Sequence, residues 1–146
     1  SYGDVHERVA HYTDFSKEEL DEMLIESVKL MRLNEPLLNL VRELRSSGSK
    51  VGIVSDNMDI FTEHLVPAHN LREQFDAIIS SADYGLLKQD ENGKLFDIAL
   101  EKLGREIENS VLIDDSQSNI ALFEKKGGRG IQYTYGEELT YQDLAV

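Results

Sequence analysis

The chain has 146 residues, 40% of them hydrophobic, with 28 acidic side chains against 15 basic ones and a net charge of −13. That balance argues against a nucleic-acid or anionic-membrane partner, because polyanion binding rests on Lys and Arg neutralising phosphates. There is no cysteine, which excludes disulfide scaffolds, thiolate metal sites and cysteine nucleophiles and fits a reducing, cytoplasmic setting. The length suits one domain with a real core. The longest apolar runs fall far short of the roughly 20 residues that cross a bilayer, so a soluble protein is expected.

In chain order, Ser16-Lys17-Glu18-Glu19 is a capping box that opens a helix. Leu20, Met23, Leu24, Ser27, Val28 and Met31 fall on one stripe of it at helical spacing. Asn34 as cap and Pro36 in the first turn announce a second helix, with Leu37, Leu40, Val41 and Leu44 on its apolar face, ending near Gly48. From Lys50 the pattern changes, since Val51-Gly52-Ile53-Val54 is a short continuous apolar run of the kind buried on both faces of a parallel sheet. The same grammar predicts strands at Ala77–Ile79, Ser110–Ile113 and Gly130–Tyr133, and helices at Leu95–Leu103 and Ile120–Lys126 that stop at Gly104 and Gly127. This alternation is the βαβ signature. The expected fold is α/β, a Rossmann-like parallel sheet of about four strands with helices on both faces and a helical N-terminal region.

In open parallel sheets, ligands collect at the carboxyl ends of the strands. Ser55-Asp56-Asn57 follows the first run, Ser80-Ser81 with Lys88 a little later follows the second, and Asp114-Asp115 follows the third. Together they suit a phosphoryl group with Mg²⁺: carboxylate oxygens hold the metal, Lys88 neutralises charge and Ser55 donates to a phosphate oxygen. Ser55, Asp56, Asn57 and Lys88 are the phosphate-binding candidates, Ser55 and Lys88 the catalytic ones, and Asp114 and Asp115 the metal ligands. Taken singly, each has a plainer reading: Asp114-Asp115 as a helix cap, Ser55 as a turn residue, Lys88 as a solvated charge. His6, His11, His64 and His69 lack metal-ligand spacing. Asp90-Glu91-Asn92-Gly93 is a turn and not a calcium loop, and Gly127-Gly128-Arg129-Gly130 matches no dinucleotide or P-loop fingerprint.

The order Gly52-Ile53-Val54-Ser55-Asp56-Asn57, Gly85-Leu86-Leu87-Lys88, Val111-Leu112-Ile113-Asp114-Asp115-Ser116 with Asn119, then Gly130-Ile131, resembles the haloacid dehalogenase (HAD) superfamily of hydrolases, from about Arg32 to Tyr135. The resemblance implies that Ser55 binds the transferred phosphoryl group, Lys88 stabilises phosphate and nucleophile, and Asp114 and Asp115 hold Mg²⁺. The double acid favours a phosphatase over a dehalogenase. Gln89 stands where the family commonly has proline, and Phe96 lies two residues further on than the usual aromatic, which implies a loop insertion at Asp90–Gly93. The family's nucleophile motif, Asp-x-Asp-Gly-Thr after an apolar strand, has no counterpart here. In the family fold that strand lies between those corresponding to Val51–Val54 and Val111–Ile113, so the chain, which starts at Ser1 and not at methionine, is expected to be a fragment. Residues 1–33 then resemble a remnant of a helical cap, and residues 34–146 a HAD-like core lacking its first strand.

The expected activity of the complete form is hydrolysis of a small phosphorylated metabolite through an aspartyl-phosphate, with this chain inactive alone; a homo-oligomer is possible. The alternative is a catalytically inactive HAD-like domain acting through protein contacts. A phosphoacceptor receiver module fits poorly, since receivers place the acidic pair early and the lysine late.

Overall fold

The computed structural model describes residues 1–144. Helices α1 (Tyr2–Ala10), α2 (Lys17–Lys29) and α3 (Glu35–Ser46) come first. Strand β1 (Gly52–Ser55) leads to a π-helical turn at Phe61–Leu65, which runs into the short helices α4 (Val66–Ala68) and α5 (Leu71–Gln74). Then follow β2 (Ala77–Ser80), α6 (Ser81–Tyr84), α7 (Lys94–Leu103), β3 (Val111–Asp114), α8 (Gln117–Lys125) and β4 (Arg129–Gln132). Among the described residues no helix is long and apolar enough to cross a membrane.

The helix starts follow their cap chemistry. Ser16 and Glu19 make the reciprocal bonds of a capping box at α2, and the Asn34 side chain accepts from the Leu37 N–H at α3 with proline in the first turn. The six-residue stripe expected on α2 is corrected in part: Val28 is buried, but Met23 and Met31 are 55% and 53% exposed. Helix α2 instead seats Leu24, Ile25 and Val28 against Ile60, Phe61, Leu65 and Val66. The sequence between Met58 and Phe75 has no clear periodicity, which is why this partner was not anticipated.

All four expected strands form and both pairings are parallel. They pair two and two, β1 with β2 and β3 with β4. Ile53 and Ile78 on one face of the first pair join the α2 cluster, while Val54 and Ile79 on the other pack with Leu95 and Ala99 of α7. Coverage on both faces accounts for the continuous apolar runs in β1 and β2. Helix α8 lies against β4 and the residue before it at two glycines: a Cβ at Gly130 would stand 2.5 Å from Ile120 Cγ2, and one at Gly128, just ahead of the strand, would enter the Phe123 ring.

Between the pairs runs a slot of about 670 Å³. Its sides are β1 and β3, from Val51 to Val54 and Val111 to Asp114. One wall comes from α3 (Leu40, Val41, Leu44) and another from α7 (Ala99, Leu100, Leu103). No residue of β2 or β4 reaches it, so the slot borders the strand edges that lack a ladder partner. This explains why β1, flanked by helices on both faces, is only half-buried along its whole length.

Candidate active site at the strand ends

Three loops meet where β1 and β3 end. The Asp56 carboxylate, just past β1, accepts the Lys88 main-chain N–H at 2.8 Å. The Lys88 Nζ donates to Asp114 Oδ2 at the end of β3, 2.7 Å away. Lys88 thus ties the ends of both strands together. Its side chain is 13% exposed and that of Asp114 6%, so the pair is shielded, unlike a surface ion pair.

Asp114 is held on its other oxygen as well. Its Oδ1 accepts from the Ser116 N–H at 2.9 Å and from Asn119 Nδ2 at 3.0 Å. Burial pushes the Asp114 carboxyl up, but the bonds from Lys88, Ser116 and Asn119 outweigh it and hold the group below the ordinary carboxylate value. Asn119 is itself oriented by Gln89, whose Nε2 donates to its Oδ1 at 2.6 Å.

Ser55 is half-buried at the last position of β1, in register with Ser80, and its hydroxyl makes no hydrogen bond among the described residues. The Asn57 N–H donates to Ser81 Oγ at 2.9 Å, and that hydroxyl donates to the Asn57 carbonyl at 3.0 Å, which fixes the loop after Ser55. Asp115 is exposed; its carbonyl accepts from Gln132. The expected site residues therefore lie at the last positions of β1 (Ser55) and β3 (Asp114) and in the loops beside them (Asp56, Asn57, Lys88 and Asp115). Gln89 was missed as a site-forming residue, and the sequence pattern that contains Asn119 and Ser81 gave neither the bond from Asn119 to Asp114 nor the anchoring of Asn57 by Ser81. The one sequence signal was the position of Asn119, five residues after Asp114 and on the first turn of α8.

Among the described residues no group of three or more His, Cys, Asp and Glu side chains is placed to hold a metal ion. Asp114 and Asp115 offer carboxylate oxygens at adjacent positions, and a hard divalent cation that keeps several waters needs only one or two of these.

A Rossmann-like α/β protein with a lysine–aspartate pair at the carboxyl ends of its parallel strands is the class that fold and site define. The sequence profile of haloacid dehalogenase-like hydrolases matches residues 3–128, and the chain belongs to that family. No curated protein sequence matches it. Among solved structures it is similar to a wild-type HAD family enzyme from Bacteroides thetaiotaomicron in complex with magnesium and inorganic phosphate, at 19% identity and TM-score 0.71, over 88% of this chain and 65% of that one. It is also similar to a dehalogenase with an intermediate complex, at 19% identity and TM-score 0.68, over 95% and 60%. An uncharacterized protein from Corynebacterium glutamicum aligns at 21% identity and TM-score 0.59, over 66% and 69%. At such identities the likeness is one of fold. The chain spans less than two thirds of the length of the Bacteroides enzyme and of the dehalogenase.

Proposed function

We propose that the protein in its complete form is a Mg²⁺-dependent phosphomonoester hydrolase, and that these 146 residues carry its phosphate- and metal-binding half while the aspartate nucleophile lies on a segment outside them. The observation that carries the reading is the 2.7 Å Lys88–Asp114 contact, joined through Asp56 to the end of β1, where Ser55 stands. A magnesium- and phosphate-bound fold relative supports it. In this reading Ser55 donates its free hydroxyl to a phosphoryl oxygen, and Asn57, fixed by Ser81, offers its side-chain amide beside it. The Lys88 ammonium faces the phosphoryl charge while Asp56 holds its backbone in place. Asp114 and Asp115 would hold Mg²⁺, which supplies charge neutralisation when bound. Asn119 and Ser116 keep Asp114 ionised and oriented for that role. The nucleophilic carboxylate attacks phosphorus as the phosphorus–ester oxygen bond breaks, the departing alkoxide takes a proton from water, and a second water cleaves the resulting acyl phosphate to inorganic phosphate and the free carboxylate.

The net charge of −13 favours a small phosphorylated metabolite over a nucleic acid as substrate. Residues 1–33 act as a cap over the core formed by residues 34–146.

The test is turnover of a chromogenic phosphomonoester with and without Mg²⁺, by this chain and by a longer form that includes the aspartate-bearing segment. The longer form should be active and lose at least a hundredfold with Lys88→Ala; the 146-residue chain should be inactive. Mg²⁺-dependent turnover by the short chain would overturn the assignment of the nucleophile. An inactive long form across a broad phosphate panel would favour the second reading, a non-catalytic domain acting through protein contacts. The observation on that side is that Lys88 and Asp114 already satisfy one another.

A further inference from the structure

We propose that Gln89 sets the metal preference of the site: by fixing the amide of Asn119 it keeps one oxygen of Asp114 away from a cation and so favours Mg²⁺ over Ca²⁺. The inference rests on the reading above in taking Asp114 as a metal ligand, and it adds the residue that decides which of its oxygens is offered.

A carboxylate has about four lone-pair directions, two on each oxygen. On Asp114 both directions at Oδ1 are taken, by the Ser116 N–H at 2.9 Å and by Asn119 Nδ2 at 3.0 Å. Oδ2 carries a single bond among the described residues, from Lys88 Nζ at 2.7 Å. The direction left to a cation is on Oδ2, so Asp114 is a ligand through one oxygen. Asp115 imposes no such restriction, because it is exposed and its carboxylate makes no hydrogen bond among the described residues.

One-oxygen ligation separates the two common divalent ions. Mg²⁺ demands a near-ideal octahedron, in which the narrow bite of a carboxylate gripping with both oxygens fits badly; Ca²⁺ has a larger, more flexible shell and takes carboxylates with one oxygen or two. Blocking Oδ1 therefore leaves Mg²⁺ unaffected and removes an arrangement that suits Ca²⁺.

What keeps Oδ1 blocked is the orientation of the Asn119 amide, since only its NH2 end can donate to an ionised carboxylate. The carbonyl end then points the other way and needs a donor of its own, because Asn119 is buried. Gln89 Nε2 supplies it at 2.6 Å. The bonds run in one direction, from Gln89 to Asn119 to Asp114. A side chain at position 89 that accepted instead would draw the Asn119 NH2 toward itself and release Oδ1.

Gln89 is exposed, yet the chain around it is held. The Lys88 N–H is bound to Asp56, the Leu87 N–H donates to Asp90 Oδ2 at 2.8 Å, and Lys126 Nζ donates to the Asn92 carbonyl at 2.9 Å. Between these ties Glu91 and Asn92 sit in left-handed backbone, with φ of 48° and 56°, a conformation that costs non-glycine residues and persists where the surroundings enforce it. An exposed glutamine on a loose turn would have no fixed direction; this one does.

The test is titration of the isotope-labelled 146-residue chain with magnesium chloride and with calcium chloride at constant ionic strength, followed by NMR at the backbone amides of residues 114–116 and the side-chain amide of Asn119. The quantity read is the ratio of the two affinities, which cancels changes in local charge because both ions carry the same charge. Gln89→Leu, which removes the donor, should lower the preference for Mg²⁺ by about fivefold, the worth of one hydrogen bond. Gln89→Glu, which substitutes an acceptor, should lower it further and shift the Asn119 amide protons before any cation is added. Gln89→Lys, which restores a donor, should keep the ratio within about twofold of the wild type. A ratio unchanged in Gln89→Glu, or lowered equally in Gln89→Leu and Gln89→Lys, would overturn the role of Gln89 and leave Asp114 standing as a metal ligand. If neither cation shifts residues 114–116 in the wild type, the metal half of the proposed function falls, and this inference with it. Position 89 is exposed, so the variants should keep the fold, which the rest of the spectrum reports.

Discussion

The side chain with the most consequences is Lys88. Removing one partner of a buried ion pair strands the other, at a cost in the range of about 3–5 kcal/mol; Lys88→Met should therefore destabilise the chain by roughly 3 kcal/mol, measured by urea unfolding at pH 7. Its pH signature is distinct. The Asp114 carboxyl is held below its ordinary value in the folded chain, so it contributes stability at neutral pH, where it is ionised in both states, and that contribution is lost as pH falls through its folded value, below about pH 4. Without Lys88 the burial that pushes the carboxyl up is less opposed, so the folded value moves toward the unfolded one and the variant, less stable at pH 7, should lose less further stability than the wild type as pH falls from 7 to 3. Unfolding free energies between pH 7 and 3 check this, and parallel curves would show that Lys88 is not what holds the Asp114 carboxyl low. Ser55, Lys88 and Asp114 were legible from sequence because each follows an apolar run, and strand ends in such a sheet converge. The bond from Lys88 N–H to Asp56 was not, since it joins residues 32 apart and depends on how two loops lie. The plainer reading of Asp114 is also partly right: it accepts the Ser116 N–H at the start of α8 in addition to meeting Lys88.

Among the elements, α8 and β4 show what the glycine-rich stretch before the last strand is for. Gly128 and Gly130 let the strand approach Phe123 and Ile120 more closely than any side chain would allow. Gly130→Ala should cost about 1–3 kcal/mol, the usual range for overpacking, seen as a lower thermal midpoint. At Gly127, φ is +107°, and Gly127→Ala should destabilise through backbone strain instead. Asn34 caps α3 and its Nδ2 also donates to the Tyr133 hydroxyl at 2.8 Å. Asn34→Ala should accordingly cost about 1–2 kcal/mol, at or above the usual cap value, with Tyr133→Phe recovering less than the sum in a double-mutant cycle. Helices and strands with strong period or cap signals were readable in advance. The stretch from Met58 to Phe75 was not, because its π-helical turn and short helices are shaped by packing on α2.

For the molecule as a whole, a charge of −13 on 146 residues implies self-repulsion that salt screens. Raising NaCl from about 0.01 to 0.15 M shortens the Debye length from about 30 to 8 Å and should raise the thermal midpoint by a few degrees; a fall would place the net balance in local ion pairs such as Lys50–Asp76. The two strand pairs share walls along the slot but are joined by a direct side-chain bond at one end, through Asp56, Lys88 and Asp114. They are built like a pair of tongs with the pivot at the Lys88–Asp114 contact: any spreading of the jaws is smallest at the strand ends that carry Ser55 and Asp114 and largest toward Val51 and Val111.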